Sequence, residues 1–309
     1  MALSKILIIG PTGAIGKHMV TASVKLGHPT FALVRSTTSS DPAKAKLLKS
    51  FENTGVTFLI GDTSDHKSLV AALKQVEVVV VTVGGAQLED QIKIIDAAKE
   101  AGTIKRFFPS EFGNNFDRAN LDDPVTRAVF GPKLVIRRAV EESGIPYTFV
   151  ASYCFFSYFL TSLVQDNLTA WEAPPRDGKL IIFGDGNTKA VWNNEADIAT
   201  FTIRSVDDPR AENKNLLIQA NIASLNEVIA VWEKKIGHTF EKEFLSSETI
   251  LKSMAELPPP KNFSYGLNYS VFVKGEQTLE LDPSTEVEAT VLYPDVKYTT
   301  IDEHFSRFV

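Results

Sequence analysis

The sequence has very little cysteine: Cys154 is the only one among 309 residues. A single thiol excludes a disulfide within the chain. The five histidines are scattered, and none is spaced with Cys154 or with another histidine as metal ligands usually are. We therefore expect neither a disulfide framework nor a metal site.

The sequence also lacks an excess of positive charge. It has 32 Lys and Arg against 38 Asp and Glu, which gives a formal net charge of −6 and a pI near 5.5. Nucleic acids and anionic membrane surfaces favour concentrated Lys and Arg in the proteins that bind them. The charge balance therefore argues against either as the main partner.

Long hydrophobic runs are missing as well. The longest run, Val78 to Val83, has the length of a buried strand and falls short of the roughly 18 residues that a transmembrane helix needs. Residues 1–10 reach glycine too soon for a signal peptide. We expect a cytoplasmic protein.

The first half of the sequence alternates short apolar runs with longer amphipathic stretches. This alternation is typical of an α/β fold with a doubly wound parallel sheet of the Rossmann type. The predicted strands are Ile6–Ile9, Thr30–Val34, Val56–Ile60, Val78–Thr82, Arg106–Phe108 and Tyr147–Val150, and the predicted helices are 14–26, 41–53, 66–75, 88–101 and 133–143. Right-handed crossovers would place a ligand crevice at the carboxyl ends of these strands.

The alternation fades after about residue 152 into aromatic and proline-rich sequence. We therefore predict a Rossmann domain at 1–152 and a smaller α/β domain at 153–309, from which some segments could return to the sheet. Within the second domain the pattern predicts a turn at 184–186 and helices at 226–235, 248–256 and 301–309.

A glycine-rich turn follows the first predicted strand and opens the first predicted helix. At this place a dinucleotide's pyrophosphate is held by backbone N–H groups and by the helix N-terminus. The predicted phosphate-binding residues are Gly10, Thr12, Gly13, Ala14, Ile15 and Gly16. Glycines at this spacing also arise by chance, but their position between strand and helix favours a cofactor role over an ordinary turn.

The end of the second strand indicates which nicotinamide cofactor binds. A site that prefers NAD usually has Asp or Glu there, whereas this sequence has Arg35. Arg35 can pair with a 2′-phosphate, and Lys44 can add a second cation, so NADPH is the predicted cofactor. A solvated surface arginine is the alternative. Val83 and Gly84 are also placed to line the cofactor, although plain loop chemistry explains them equally well.

Two lysines are candidates for the proton transfer that accompanies hydride transfer. The Tyr-x-x-x-Lys pattern occurs at Tyr293 and Lys297, but Pro294 and the distance from the predicted strands favour a structural role. A helix start predicted at Pro132 would place Lys133 in a first helical turn. There the positive helix end and burial would lower the lysine's pKa toward neutrality. A surface helix lysine is the alternative at this point.

The chain resembles the plant isoflavone reductase-like, or phenylcoumaran benzylic ether reductase, family within the NmrA-like atypical short-chain reductases. The resemblance runs nearly end to end. It is carried by Gly10–Gly16, Phe108–Gly113, Lys133–Arg138, Gly144–Thr148, Val206–Arg210, Trp232–Gly237 and Leu292–Thr300. It implies that the glycine turn, Arg35 and Lys44 bind NADPH, so that 1–152 is an NADP-binding Rossmann domain and 153–309 is mainly a substrate-binding domain. It also implies that Lys133 is the catalytic lysine beside the cofactor, and that Tyr293 and Lys297 belong to a structural tail.

Members of this family reduce phenylpropanoid-derived phenolic substrates, often through a quinone methide. The resemblance implies that Lys133 takes a phenolic proton, a benzylic ether or ester leaves, and hydride adds to the resulting electrophile. Aromatic residues expected to bind this flat substrate follow the sixth strand, although their spacing suits a plain core equally well. They are Tyr153, Phe155, Phe156 and Tyr158.

The expected reaction is the reduction of a phenylcoumaran's benzylic ether, and several alternatives stay open. Within the family these are isoflavone reduction, lignan reduction of the pinoresinol and lariciresinol type, and phenylpropene formation. A non-catalytic NADP(H)-sensing protein is the alternative from another class. A homodimer is also left open as the assembly.

The sequence departs from the family pattern at three places. The family's Gly-Gly-Thr-Gly-Tyr-Ile-Gly is Gly-Pro-Thr-Gly-Ala-Ile-Gly here, Tyr153 stands in place of an Asn, and Gly131-Pro132 stands in place of helix formers. We expect Tyr153 to add bulk near the pocket and Pro132 to rotate or shorten the first turn that carries Lys133. Cofactor binding should survive all three departures.

Overall fold

The structure is a computed structural model that describes residues 2–119, 121, 124–165 and 167–309. Strands and helices alternate through its first half. The strands are β1 (Ile6–Ile9), β2 (Thr30–Val34), β3 (Thr57–Ile60), β4 (Val78–Val81), β5 (Arg106–Phe108) and β6 (Thr148–Ala151). The helices are α1 (Gly16–Lys25), α2 (Pro42–Asn53), α3 (His66–Leu73), α4 (Gln91–Ala101) and α5 (Pro124–Ser143).

The first strands form a parallel sheet in the order β3-β2-β1-β4-β5. The central strands β1 and β4 have the sequences ILII and VVVV and are buried throughout, as expected where helices cover both faces of a parallel sheet. Strand order reverses at β1, so the loops after β1 and β4 diverge and leave a crevice at the carboxyl ends of the strands. The predicted doubly wound α/β fold is confirmed.

The second half adds shorter strands and further helices. The strands are β7 (Cys154–Phe155), β8 (Lys179–Phe183), β9 (Lys189–Asn193), β10 (Lys214–Leu217), β11 (Asn221–Ser224), β12 (Glu241–Leu245) and β13 (Glu286–Glu288). The helices are α6 (Glu195–Arg204), α7 (Leu225–Ile236), α8 (Ser247–Glu256), α9 (Lys261–Phe272), α10 (Ala289–Leu292) and α11 (Ile301–Ser306). In the described ranges, no helix is long and apolar enough to cross a bilayer.

Part of the second half lies beside the main sheet. β10 pairs in parallel with both β6 and β13, and β6 meets β5 through a bridge between Phe107 and Tyr147. Two smaller sheets, β11-β9-β7 and β12-β8, lie apart from this row of strands. Residues beyond 152 thus contribute both to the main sheet and to a separate layer. The division of the chain into two domains at residue 152 stays a prediction.

A separate apolar core supports the smaller sheets. Its largest buried side chains include Trp192, Trp232 and Phe272, and the Trp192 and Phe272 ring centroids lie 5.6 Å apart. Phe156 belongs to this core and is fully buried, with its ring against His304 at 4.8 Å between centroids. Phe156 and the next four residues form one π-helical turn.

Helix α5 differs from its prediction at its start. It begins at Pro124, and Pro132 lies inside it, so Lys133 sits in the middle of a continuous helix. Pro132 cannot donate the backbone hydrogen bond of an interior position. The earlier turns are held by packing against α9, where a Cβ on Gly266 would come within 3.1 Å of Val125 Cγ1. The predicted helix start at Pro132 is therefore wrong, because tertiary packing outweighs the local preference of proline.

Candidate functional site

The glycine turn joins β1 to α1 and is tied to the end of β4. Gly10 has φ +86°, a left-handed conformation that glycine adopts at little cost, and its carbonyl accepts a 3.1 Å hydrogen bond from the Gly13 N–H. The Thr82 hydroxyl donates to the carbonyls of Ile9 and Gly10 at 2.9 and 3.0 Å. A Cβ on Gly16 would lie 2.0 Å from the Gly10 carbonyl oxygen. The turn therefore needs glycine at residue 16 to close.

Helix α1 starts behind this turn without a side-chain cap on its first N–H groups. Uncapped N–H groups at a helix N-terminus, with the positive end of the helix dipole, favour an anion such as a phosphate. The turn and the helix start thus fit a pyrophosphate, which would take the place of the missing cap.

One cavity lies on the β2 and β3 side of the turn and has a volume of about 270 Å³. Gly10, Thr12, Arg35, Lys44 and Val83 line it. These are five of the residues predicted to bind the cofactor, and two of them are cations. Such a cavity fits a phosphorylated ribose.

The Arg35 side chain in this cavity is 73% exposed and lies 4.0 Å from an Asp62 carboxylate oxygen. It is therefore free to turn toward a 2′-phosphate. Hydrogen bonds from Ser64 lower the pKa of Asp62, so Asp62 stays charged and faces Arg35 at neutral pH.

A larger cavity of about 470 Å³ lies on the other side of the turn. Gly13, Ala14 and Ile15 line it, together with Val83 and Gly84, and Val83 faces both cavities. Among the predicted cofactor residues, Gly16 lies against the turn and lines neither cavity. A dinucleotide laid across the turn would thus reach from the cation-bearing cavity into the larger one.

Lys133 lies on the wall of the larger cavity and is partly buried. Its Nζ donates a hydrogen bond to the Glu111 backbone carbonyl and lies 5.1 Å from the centre of the Phe116 ring. Burial lowers the pKa of Lys133 to about 8, since the opposing effect of the Glu111 carboxylate is partly offset by Arg137. The first-turn position expected for this lysine is wrong, so burial rather than a helix end accounts for its lowered pKa.

A buried ion pair holds the elements that carry Lys133. Arg137, one helical turn further along α5, is fully buried and binds both carboxylate oxygens of Glu111, one of them at 2.8 Å from Nε. Asp117 accepts a further hydrogen bond from the same guanidinium. The loop after β5 is also fixed to the loop after β4, because the Ser110 hydroxyl donates to the Val83 carbonyl at 2.5 Å. These contacts thus fix the position of Lys133 relative to the glycine turn and the end of β4.

The predicted substrate-binding aromatics divide into two groups. Tyr153, Phe155 and Tyr158 line the larger cavity, with the rings of Phe155 and Tyr158 edge to face at 6.4 Å between centroids. Phe156 does not line this cavity, because its side chain is fully buried in the separate apolar core that contains Trp192 and Phe272. Phe156 is a core residue, and its predicted substrate contact is wrong.

Tyr153 has φ +55°, which is uncommon for a residue with a side chain. Its backbone N–H and that of Ser152 both donate to the Gly113 carbonyl at 3.0 Å. The Tyr153 hydroxyl bonds to the Gln219 side chain, and burial raises the pKa of this tyrosine, so it stays neutral. Its bulk lies at the cavity wall, as expected from the sequence.

Several residues of the larger cavity were not predicted from the sequence. The loop after β5 contributes Phe112, Asn114 and Phe116, and α5 contributes Phe130. Leu267 and Gln277 come from distant parts of the chain and lie in the same cavity. The stretch Phe108–Gly113 marked this loop as one of the motifs carrying the resemblance, but nothing in the local pattern marked the distant residues.

Tyr293 lies outside both cavities. Its hydroxyl donates to Asp208 at 3.0 Å, and its ring lies 5.3 Å from the Arg204 guanidinium. In the described part of the chain, no cluster of three or more His, Cys, Asp or Glu side chains could hold a metal ion.

Comparisons with known proteins agree with this geometry. The model of the NmrA-like family matches residues 2–305. The chain is 59% identical to eugenol synthase 2 of Clarkia breweri and 57% identical to phenylcoumaran benzylic ether reductase Betv6 of Betula pendula, over 99% of both chains in each case.

Solved structures share the fold along the whole chain. The crystal structure of an isoflavone reductase is 48% identical with a TM-score of 0.92, and each chain is covered completely. The complex of leucoanthocyanidin reductase with NADPH from Vitis vinifera is 35% identical with a TM-score of 0.88, covering 98% of this chain and 99% of the other.

We predict that Gly16→Ala destabilises the fold. The added Cβ would overlap the Gly10 carbonyl, and such overpacking costs roughly 1 to 3 kcal/mol. The melting temperature should fall by several degrees. Gly84→Ala is the matched control, because Gly84 has an extended backbone and open space around its Cβ position. Equal melting temperatures for the two variants would contradict the packing argument.

We predict that Arg35→Ala weakens NADPH binding much more than NADH binding, because only NADPH carries a 2′-phosphate. Loss of a charge-assisted hydrogen bond should raise the Kd for NADPH roughly ten- to a hundredfold and leave the Kd for NADH nearly unchanged. Isothermal titration with both cofactors measures this difference. Lys46→Ala, an exposed lysine on the same helix as Lys44, is the control and should change neither Kd. An equal loss for both cofactors in Arg35→Ala would refute the 2′-phosphate assignment.

Proposed function

Because the chain belongs to the NmrA-like family and is an NADPH-dependent reductase of phenylpropanoid type, we propose that it reduces a phenol whose side chain carries a benzylic or allylic leaving group. The first substrate class is the benzylic ether of a phenylcoumaran. The observation that carries this proposal is a lysine with a pKa near 8 on the wall of an aromatic-lined cavity beside a dinucleotide turn.

The residues present fit NADPH along both cavities. The glycine turn and the start of α1 would hold its pyrophosphate, Arg35 and Lys44 its 2′-phosphate, and Val83 and Gly84 would face its nicotinamide half. When bound, NADPH supplies the hydride.

Lys133 is the proposed general base. A sizeable fraction of a lysine with a pKa near 8 is neutral at pH 7 to 8, and only the neutral amine can accept a proton at Nζ. It takes the proton of the substrate's phenolic hydroxyl, and the phenolate electrons expel the leaving group across the ring. The leaving oxygen departs as an anion and takes up a proton from solvent. The electrophilic quinone methide that remains accepts hydride at the side-chain carbon, which returns its ring oxygen to a phenolate. This phenolate recovers a proton from the protonated Lys133.

The cavity wall suits the neutral stages of this sequence. Its lining includes five aromatic residues, so a flat ring would be enclosed by apolar surface. They are Phe112, Phe116, Phe130, Phe155 and Tyr158. Exclusion of water protects a quinone methide from hydrolysis. The same apolar surroundings lower the pKa of Lys133, because they disfavour its charged form.

A second substrate class is the phenylpropenyl ester. It is favoured by the 59% identity to eugenol synthase 2 and the 58% identity to eugenol synthase 1 of Petunia hybrida. An ester leaving group would depart as a carboxylate by the same route, so both classes need the same base. The cytoplasmic location and the homodimer stay predictions, because a single chain tests neither.

The proposal is tested by NADPH consumption with a panel of a phenylcoumaran, a lignan, an isoflavone and a coniferyl ester, with product analysis and NADH as the control cofactor. We expect turnover of the phenylcoumaran or the ester. Lys133→Met should lower kcat/KM at least roughly a hundredfold without a comparable change in the Kd for NADPH.

Lys99→Met, an exposed lysine on α4, serves as the matched control and should behave as the wild type does. Full activity of Lys133→Met would remove Lys133 from the mechanism. Tight NADPH binding with no turnover of any substrate in the panel would contradict the proposed function.

A further inference from the structure

One residue that lines the larger cavity, Asn114, has a side-chain group without a hydrogen-bond partner among the described residues. Asn114 is 5% exposed, and among the described residues nothing accepts a hydrogen bond from its Nδ2. A buried amide donor without an acceptor costs free energy, and such groups in native proteins usually meet a ligand or water. This observation is independent of Lys133.

The orientation of the Asn114 amide follows from the backbone N–H of Val191, which can only donate a hydrogen bond. The backbone N–H of Val191 donates to Gln277 Oε1 at 2.9 Å, which identifies that atom of Gln277 as the oxygen. Gln277 Nε2 must then donate to Asn114 Oδ1, at 2.8 Å. Because Oδ1 is used in this way, Nδ2 is the group of Asn114 left without a partner in the described part of the chain. The chain of bonds therefore assigns the two ends of the amide without ambiguity.

Asn114 lines the same cavity as Lys133 and follows Glu111 by three residues in the chain. The loop after β5 carries both Asn114 and the Glu111 carbonyl that accepts the Lys133 hydrogen bond. A phenol that gives its proton to Lys133 keeps lone pairs on an oxygen that gains negative charge. A neutral N–H donor in apolar surroundings stabilises such an oxygen more than it would in water.

We propose that Asn114 Nδ2 donates a hydrogen bond to the phenolic oxygen of the substrate, opposite the proton transfer to Lys133. This inference rests on the proposed function for the identity of the ligand. Asn114 then acts as a substrate-binding residue, and Gln277 positions it through the hydrogen bond to Asn114 Oδ1.

The test uses a phenol that is not turned over. The probe is 4-hydroxy-3-methoxybenzaldehyde, bound to the protein with NADP⁺, and its phenolate is followed by absorbance as pH is varied. Since a donor to the charged form favours that form, Asn114→Leu should raise the pKa of the bound probe by roughly one unit and weaken phenolate binding roughly tenfold. Asn114→Gln keeps a donor and should recover part of the effect.

Gln277→Leu removes the hydrogen bond that Gln277 donates to Asn114 Oδ1 but keeps the Asn114 Nδ2 donor. It should raise the pKa of the bound probe by a smaller amount. The double variant Asn114→Leu/Gln277→Leu should be no worse than Asn114→Leu alone, because both act through one hydrogen bond. Asn268→Leu is the matched control. Asn268 is a buried amide bonded to Asn167, outside the residues that line the cavity, so its loss should lower the melting temperature and leave the pKa of the probe unchanged.

The outcomes separate this inference from the proposed function. If the wild type binds the probe and Asn114→Leu leaves its pKa and affinity unchanged, the hydrogen bond is refuted while the proposed function stands. If folded wild type binds NADP⁺ but no phenol, both are refuted. A rise in the probe's pKa in Asn114→Leu that is absent in Asn268→Leu supports the inference.

Discussion

The buried ion pair between Arg137 and Glu111 is the interaction on which the site depends. Arg137 is fully buried and Glu111 is 2% exposed, so each needs the other. Removing one partner of such a pair leaves an uncompensated charge and typically costs about 3 to 5 kcal/mol. The pair joins the middle of α5 to the loop after β5. Because Lys133 lies one turn before Arg137 and contacts the Glu111 carbonyl, the pair also fixes Lys133.

The topology of the sheet determines where the site lies. Strand order reverses at β1, and the loops after β1 and β4 leave a crevice that the glycine turn divides into two cavities. One cavity carries Arg35 and Lys44, and the other is apolar with Lys133 on its wall. A phosphorylated, charged half of a ligand and a flat, uncharged half are thus assigned to different sides of one turn.

The sequence predicted the parts of the fold and site that depend on local pattern. Short apolar runs predicted the strands because a parallel sheet is buried on both faces, and the glycine spacing placed the dinucleotide turn. It failed where distant packing decides the result. Pro132 suggested a helix start, but contact with α9 extends α5 back to Pro124. Phe156 looked like its aromatic neighbours, and only the turn after β7 directs it into the core. Gln277 reaches the cavity from a position that no spacing in the sequence marks.

The central claim is that Lys133 is a base because the folded protein makes its charged form costly. Its pKa can be measured directly, by NMR titration of protein labelled with ¹⁵N at the lysine side chains, with Lys133→Met to assign the signal. We predict a value of about 8, and a kcat/KM that rises with pH through the same value as the amine loses its proton. A pKa near the ordinary value of about 10.4 would contradict the account, because almost no Lys133 would then be neutral at physiological pH.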